Sequence, residues 1–408
     1  MYERLISKKI QESLEESPVV LVNGARQTGK STLVQTLLQD THTYYTLDDT
    51  SVLNAVCQDP TTFLSIQGKS VVLDEVQRAP ELFIPLKHIV DQRRKPGHFV
   101  LTGSANVLNL PRLSESLAGR MEIHTLWPLA QAELHHAKRS FIDHVFAGTL
   151  PRQLVAFSHD ELVKDVLAGG YPDVLRRVTE SKRDSWCAAY LQTLLQRDVR
   201  DLMHIERLDG IPKLLRLLAT RVANVMNTSE LSRSSGLPNT TLKRYLTLLE
   251  TLYLYVAVPS WSGSLSKRLT KAPKVYLNDT RLLCHLLGVN QAHLLSKRPV
   301  FGHILENFVV MELKKQQTWA DVRTHMFYYR THSGEEIDIV LEALGGKKVA
   351  IEVKATQVVS DRDFKHIRAF QKALPNEEIS GFVAYMGQKI IPWAKNLTAI
   401  PIPMLWSN

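Results

Sequence analysis

Residues 24 to 32 read Gly-Ala-Arg-Gln-Thr-Gly-Lys-Ser-Thr and follow the apolar run Val19-Val20-Leu21-Val22. That spacing, G-x-x-x-x-G-K-[ST], suits one chemistry, the gripping of a polyphosphate. The glycines let successive backbone N–H groups turn inward, the positive end of the following helix faces the same point, and Lys30 can reach the outer phosphates. Ser31 offers its hydroxyl to a magnesium ion. Gly24, Ala25, Arg26, Gln27, Thr28, Gly29, Lys30, Ser31 and Thr32 are therefore the candidate nucleoside triphosphate site.

Downstream, Ser70-Val71-Val72-Leu73 runs into Asp74-Glu75, the pattern of a buried parallel strand that delivers carboxylates beside a phosphate loop. Asp74 is placed to hold magnesium through its water shell, and Glu75 to orient and deprotonate an attacking water. A third strand, ending Phe99-Val100-Leu101-Thr102, belongs between or beside the first two and leads to Ser104 and Asn106. Either side chain suits the γ-phosphate or the water, and spacing does not choose between them. Arg120 is a candidate for stabilising transition-state charge in its own or a neighbouring subunit, with a structural ion pair as the competing role.

Near the C-terminus, residues 334–341 and 349–354 read as two strands separated by the turn Gly345-Gly346. Alternation puts Glu352 and Lys354 on one face, Ile351 and Val353 on the other, with Asp338 on the neighbouring strand within reach. Residues 302–313 carry a helical period and include Glu306. A salt bridge holding the strands in register would account for Glu352 and Lys354 without any catalysis.

The elements that carry these groups follow from punctuation and period. Residues 159–220 read as helices, with Leu162, Val163, Val166 and Leu167, then Leu191, Leu194, Leu195 and Val199, at 3–4 spacing. Gly169-Gly170-Tyr171-Pro172 punctuates them as a turn. From Asn227 onward a short helix capped by Thr228 or Ser229, a stop at Gly236 and a longer helix compose a helix-turn-helix, with residues 254–258 as a wing. Lys243 and Arg244 fall on its outward side, open to phosphates or bases; contact with a protein is the other use of such a module.

A chain of 408 residues, 44% hydrophobic and 22% charged, is long enough for several domains and ordinary enough to fold. Without a run of ~20 uncharged apolar residues or an apolar leader, the expected location is cytoplasmic, with no membrane contact. Cys57, Cys187 and Cys284 lie too far apart for a zinc motif and read as buried free thiols. Net charge is +9, and residues 261–300 hold seven basic residues, Lys267, Arg268, Lys271, Lys274, Arg281, Lys297 and Arg298, against Asp279. Such a local field favours a polyanion, DNA above all, although a solvated basic surface explains the charge equally well.

The ordered set GARQTGKST, VVLDEVQ, VLTGSAN, LAGRMEIHTLWPL and LAGGYPDVLRR resembles the AAA-superfamily ATPases of bacteria and archaea that carry a C-terminal domain of unknown function. They are relatives of the signal-transduction ATPases with numerous domains and, more distantly, of origin-binding ATPases. The resemblance spans essentially the whole chain. It implies ATP and Mg2+ as cofactors, and it places Tyr171 and Pro172 in a helical lid beside the adenine. The C-terminal pattern is similar to the PD-(D/E)xK nuclease superfamily, which implies Asp338, Glu352 and the helical acid Glu306 as magnesium ligands and Lys354 as the catalytic lysine. Ile337 stands where that superfamily usually has proline. Carboxylates would hold the metal against a scissile phosphate while the lysine offsets developing charge.

The expected architecture is α/β: a P-loop NTPase parallel sheet (1–158), a helical lid (159–222), a winged helix with the basic segment (223–300) and a PD-(D/E)xK nuclease-like domain (301–408). The expected function is an ATPase whose nucleotide state controls a DNA-directed domain, an endonuclease as one outcome. The alternative keeps the ATPase and makes the C-terminal half a non-catalytic module for a protein partner in a signalling or defence switch. A metabolic kinase would leave the C-terminal acids unexplained. Assembly into a homo-oligomer stays open.

Overall fold

Alternation inside the apolar runs builds the first layer. Odd positions of β1 (Val19–Asn23), β3 (Ser70–Asp74) and β4 (Phe99–Gly103) face one core, with Val19, Leu21, Val71, Leu73, Phe99 and Leu101. Even positions Val20, Val22, Val72 and Val100 face another, shared with Ile6 and Ile10 of α1 (Ser7–Glu16) and Leu33, Val34 and Leu38 of α2 (Lys30–Leu38). A sheet apolar on both faces must be covered on both, which is the parallel arrangement. With β2 (His42–Thr46) and β5 (Met121–Thr125), the five strands run in the order β2-β3-β4-β1-β5, all parallel. The strand expected between or beside the first two thus lies between them. Helices α3 (Thr50–Gln58), α4 (Pro60–Ser65) and α5 (Phe83–Gln92) fill the connections.

The computed structural model describes residues 2–66, 69–104, 117–150, 157–203, 210–291 and 298–407, without the side chains of 197–203 and 298. The chain divides into two compact units, residues 1–128 with 249–254, and residues 129–248 with 255–408. The sheet above belongs to the first. The segments expected as lid and C-terminal domain lie in the second, as does the expected winged helix apart from residues 249–254.

That second unit holds α6 (Gln131–Leu134), α7 (Phe141–Phe146), α8 (His159–Ala168), α9 (Pro172–Leu175), α10 (Glu180–Met203) and α11 (Gly210–Ala219). Then come α12 (Thr228–Ser235) and α13 (Asn239–Thr251), joined through Gly236, whose φ of 76° is the left-handed conformation that ends the first helix. The cap of α12 is Asn227, one residue before the expected Thr228 or Ser229; its side chain accepts from Glu230 N at 3.0 Å. Strands β6 (Tyr255–Val258) and β7 (Lys274–Leu277) pair antiparallel around α14 (Leu265–Thr270). After α15 (Thr280–Leu287) and α16 (Arg298–Gln316) comes a six-stranded mixed sheet. Its strands are β8 (Thr324–Arg330), β9 (Glu336–Ala343), β10 (Lys348–Lys354), β11 (Ile379–Tyr385), β12 (Ile391–Ala394) and β13 (Leu397–Pro401), ordered β12-β13-β11-β10-β9-β8. Helix α17 (Lys365–Ala373) covers it with Ile367 and Phe370.

Polar ties hold α16 to the start of this unit. Glu312 accepts from Gln131 N at 2.7 Å, Lys315 donates to Leu129 O at 3.0 Å, and Gln316 accepts from Phe141 N at 2.8 Å. Cys187 and Cys284 are buried as expected, but Cys57 is exposed and donates to Glu81. No helix among the described residues is long and apolar enough to cross a membrane.

Candidate functional site

Because β4 lies between β1 and β3, the carboxyl ends of these three strands converge, and so do the groups that follow them. Gly24 enters the loop at φ 141°, and a Cβ there would meet Leu126 O at 2.2 Å, so only glycine fits. Gly29, at φ 94°, is the cap from which α2 starts at Lys30. Within residues 24–32, Lys30 is buried and its ammonium donates to Gly24 O at 3.0 Å and Ala25 O at 2.9 Å, while Thr28 Oγ1 donates to Ala25 O at 2.9 Å. Arg26, Gln27, at φ 60°, and Thr32 complete the loop and its helix entry. Arg4 braces the loop from outside, donating to Thr28 O and to Trp127 O, each at 2.7 Å.

Asp74 is 5% exposed and surrounded by hydroxyls. Ser31 Oγ donates to its Oδ1 at 2.9 Å, Thr102 Oγ1 donates to the same oxygen, and Thr46 Oγ1 reaches Oδ2 at 3.4 Å. Tyr44 also bonds to Asp74; burial first, and then that carboxylate, raise its phenol above the ordinary range. Glu75 follows with φ 61°, left-handed and unusual for a non-glycine residue, and its N–H donates to Thr102 Oγ1 at 3.1 Å. Ser104 is buried and accepts from Gln77 Nε2 at 2.9 Å; the same nitrogen donates to the Glu75 carboxylate. Lys30, Ser31, Asp74, Glu75 and Ser104 are thus brought to one sheet end. Asn106 lies outside the described residues.

Arg120 is engaged by a carboxylate of its own unit. Its Nε and Nη2 donate to Asp91 at 2.5 and 3.0 Å, and each partner shifts the other's pKa toward the charged form. The adenine-lining expectation for Tyr171 is corrected. Its side chain is 0% exposed, set against Trp186 and Tyr190, with its hydroxyl bonded to Asn278 Nδ2 at 2.9 Å, which leaves no ring face for a base. Pro172 starts α9 as its first residue. The two preceding glycines answer to packing: a Cβ on Gly170 would meet Leu129 O at 2.2 Å, and one on Gly169 would meet Asp279 Oδ1 at 2.5 Å.

The C-terminal acids also meet, but around a cation of the chain itself. Lys274 Nζ lies 2.9 Å from Glu306 Oε1, 2.6 Å from Glu336 Oε1 and 3.4 Å from Asp338 Oδ1, with its side chain 1% exposed. Tyr276 donates to Glu306 Oε1 at 2.7 Å. Asp338 accepts from Val353 N at 2.9 Å, Glu352 from Asp338 N at 3.3 Å, and Lys354 pairs with Glu352 at 3.1 Å. Burial opposes the charge on Lys274, but the three carboxylates outweigh it and hold the ammonium protonated. Burial, then the charge of Asp338, push the Glu306 and Glu352 carboxyls upward.

The magnesium assignment for Glu306, Asp338 and Glu352 meets a lysine already seated beside two of these acids. That ammonium offsets part of the negative charge, and no group of three or more His, Cys, Asp or Glu side chains among the described residues is arranged to hold a metal ion. The basic stretch is corrected too: Lys274 and Arg281 are buried in ion pairs, Arg268 pairs with Glu342, and Lys297 is outside the described residues. Lys267, Lys243 and Arg244 are exposed.

The first cluster falls within a segment similar to a known family. The model of the AAA domain matches residues 16–135. Residues 16–135 are thus similar to AAA domains. Two domains of unknown function, DUF8612 and DUF4143, match residues 159–293 and 301–405. An uncharacterized protein of Mycobacterium tuberculosis is 28% identical over 395 residues, covering 96% of this chain and 82% of that one. An uncharacterized protein of Haemophilus influenzae is 26% identical over 229 residues, 55% of this chain and 52% of its own. Among solved structures, the Walker-type ATPase of Pyrococcus abyssi is similar with a TM-score of 0.46 and 16% identity, over 70% of this chain and 96% of that one.

Sequence reasoning missed Arg4, Tyr44, Gln77, Thr102, Lys274 and Glu336. Gln77 and Thr102 lie inside motifs that were read for other residues, VVLDEVQ and VLTGSAN. Arg4, Tyr44 and Lys274 carry no local signal, since each acts on a residue distant in the chain.

Proposed function

We propose that the chain binds ATP with Mg2+ at residues 24–32 and hydrolyses it through Glu75. The observation that carries this is the contact of Ser31 with Asp74 at 2.9 Å beside the buried ammonium of Lys30. Ser31 and Asp74 present hard oxygen donors of the kind magnesium takes, so the residues fit the ion. When bound, the ion would neutralise charge on the β- and γ-phosphates. The chain's own part is separate. Lys30 and the loop amides bind the phosphates, Thr102 fixes the turn that aims Glu75, and Glu75 accepts the proton of the attacking water. Lys30→Ala should lose nucleotide binding, while Glu75→Gln should keep binding and lose turnover. Hydrolysis by Lys30→Ala at the parent rate would sink the reading.

For the C-terminal half two readings compete. Exposed Lys243 and Arg244 on the second helix of a helix-turn-helix support a winged helix that meets DNA. The ammonium of Lys274 among Glu306, Glu336 and Asp338 favours the other reading, a nuclease-like domain that does not cleave and serves an ATP-dependent switch through a protein partner. Plasmid and oligonucleotide DNA incubated with Mg2+ or Mn2+, with and without ATP, decide between them. Cleavage lost in Asp338→Ala and Lys354→Ala would restore the nuclease; absence of cleavage in all conditions supports the switch.

A further inference from the structure

We propose that Gln77 positions the attacking water, an assignment that rests on the ATPase reading above. Gln77 lies on the tight turn Val76–Arg78, closed by Arg78 N donating to Glu75 O at 3.1 Å, and this turn folds its side chain back over Glu75. Its amide nitrogen spans two strand ends, donating to the Glu75 carboxylate and to Ser104 Oγ at 2.9 Å. The orientation of the amide follows from chemistry: an ionised carboxylate only accepts, so nitrogen faces Glu75. Gln77 Oε1 is therefore turned the other way, buried and without a hydrogen-bond donor among the described residues. Leaving a buried acceptor unsatisfied costs about 1–3 kcal/mol, so this oxygen gains by meeting a donor.

A water seated beside this pair supplies the missing donor. One of its protons points at Glu75 and the other at Gln77 Oε1, which directs the oxygen lone pair to the remaining side. Attack forms the bond from water oxygen to the γ-phosphorus and breaks the bond from that phosphorus to the β–γ bridging oxygen, whose electron pair leaves with ADP. The first proton passes to Glu75, and the second stays on the new phosphate. Glu75 can afford no drift during this step. Its left-handed backbone, at φ 61°, is pinned by Thr102 and its carboxylate by Gln77, so both ends of the base are held. Because the same amide holds Ser104, a shift of Ser104 toward a γ-phosphate would move the acceptor and the base together.

The test compares Gln77→Met, which keeps the length and removes the amide, with Gln77→Glu, which keeps an acceptor oxygen but sets a second carboxylate beside Glu75. Steady-state turnover, its pH profile and the affinity for a non-hydrolysable ATP analogue are measured in the full chain, with Lys30→Ala as control. Gln77→Met should lower kcat about 100-fold, the scale of a misplaced reacting group, with analogue affinity unchanged. Gln77→Glu should move the acid limb of the kcat profile to higher pH, because a like charge disfavours ionisation of Glu75. A merely structural glutamine would not move that limb. Turnover by Gln77→Met within about twofold of wild type, or a parallel loss of analogue affinity, overturns the assignment. If Lys30→Ala is inactive while Gln77→Met is unimpaired, the glutamine assignment alone falls; if Lys30→Ala turns over ATP like the parent, both readings fall.

Discussion

Two acidic clusters share this chain, and their partners set them apart. Asp74 is met by the hydroxyls of Ser31, Thr46 and Thr102, donors that carry no charge of their own. Glu306, Glu336 and Asp338 are met by the single ammonium of Lys274, which offsets part of theirs. A hydrogen bond from a hydroxyl to a charged group is worth about 1.5–3 kcal/mol net, so each donor around Asp74 can be exchanged singly at modest cost. Removing one member of a buried ion pair costs about 3–5 kcal/mol, so the second cluster is built to stay as it is. On the proposed reading, acidic side chains serve turnover in one unit and cohesion in the other, and the donor beside them tells which.

Glu75→Gln gives the largest effect on which the contrast depends. Loss of a general base should lower ATP turnover by roughly 10²- to 10⁴-fold while nucleotide affinity stays, measured by phosphate release and equilibrium binding. Turnover near the parent rate would place the base elsewhere and remove the functional half of the comparison.

Lys274→Met comes next and bears on stability. The thioether retains the packing of the stem and leaves the buried carboxylates unpaired, so denaturant unfolding should show a loss of about 3–5 kcal/mol. Thr102→Val, which strips one neutral donor from Asp74, should cost about 1–3 kcal/mol. Equal losses would mean that the two clusters are held alike. Adding Glu306→Gln to Lys274→Met should restore part of the stability, because the two side chains are coupled.

The pH dependence sharpens the point further. Burial and the charge of Asp338 raise the Glu306 and Glu352 carboxyls in the fold above their unfolded values. A group bound more tightly to its proton when folded contributes stability that is full below the unfolded pKa and is lost as pH rises through the folded one. Wild type should therefore lose thermal stability as pH climbs from the ordinary glutamate range toward the raised folded pKa. Glu306→Gln should flatten that decline. Parallel slopes for the two proteins would show that Glu306 titrates as an exposed acid.

How much of this was legible from the residues follows from the range of each constraint. The loop from Gly24 to Ser31 is local, because its amides and lysine work only at fixed spacing, and the apolar strands that flank it announce their own burial. Its cluster was therefore readable, down to Asp74 and Glu75. Lys274 was not, since nothing nearby distinguishes it from Lys271; only the fold brings it to Glu306, Glu336 and Asp338. Counting it as surface charge overstated the basic field. Tyr171 failed for a related reason: the glycines before it answer to Leu129 and Asp279, distant residues that need close approach rather than a ligand.

Arg120 should produce the smallest effect, and it tests the comparison from the side of the nucleotide unit. An arginine awaiting a phosphate would be expected to stand without a carboxylate partner, whereas this one makes a two-pronged contact with Asp91 on the surface of its own unit. Exposed pairs of this kind contribute little to folding, and Arg120→Ala should leave the melting temperature nearly unchanged and turnover within about twofold of wild type at low protein concentration. Should turnover instead fall steeply, and fall further as concentration rises, the Asp91 contact would be a resting position for an arginine that acts across an interface. Asp91→Ala then separates the two cases, since freeing such an arginine would raise turnover, while a purely structural pair would leave it where it was.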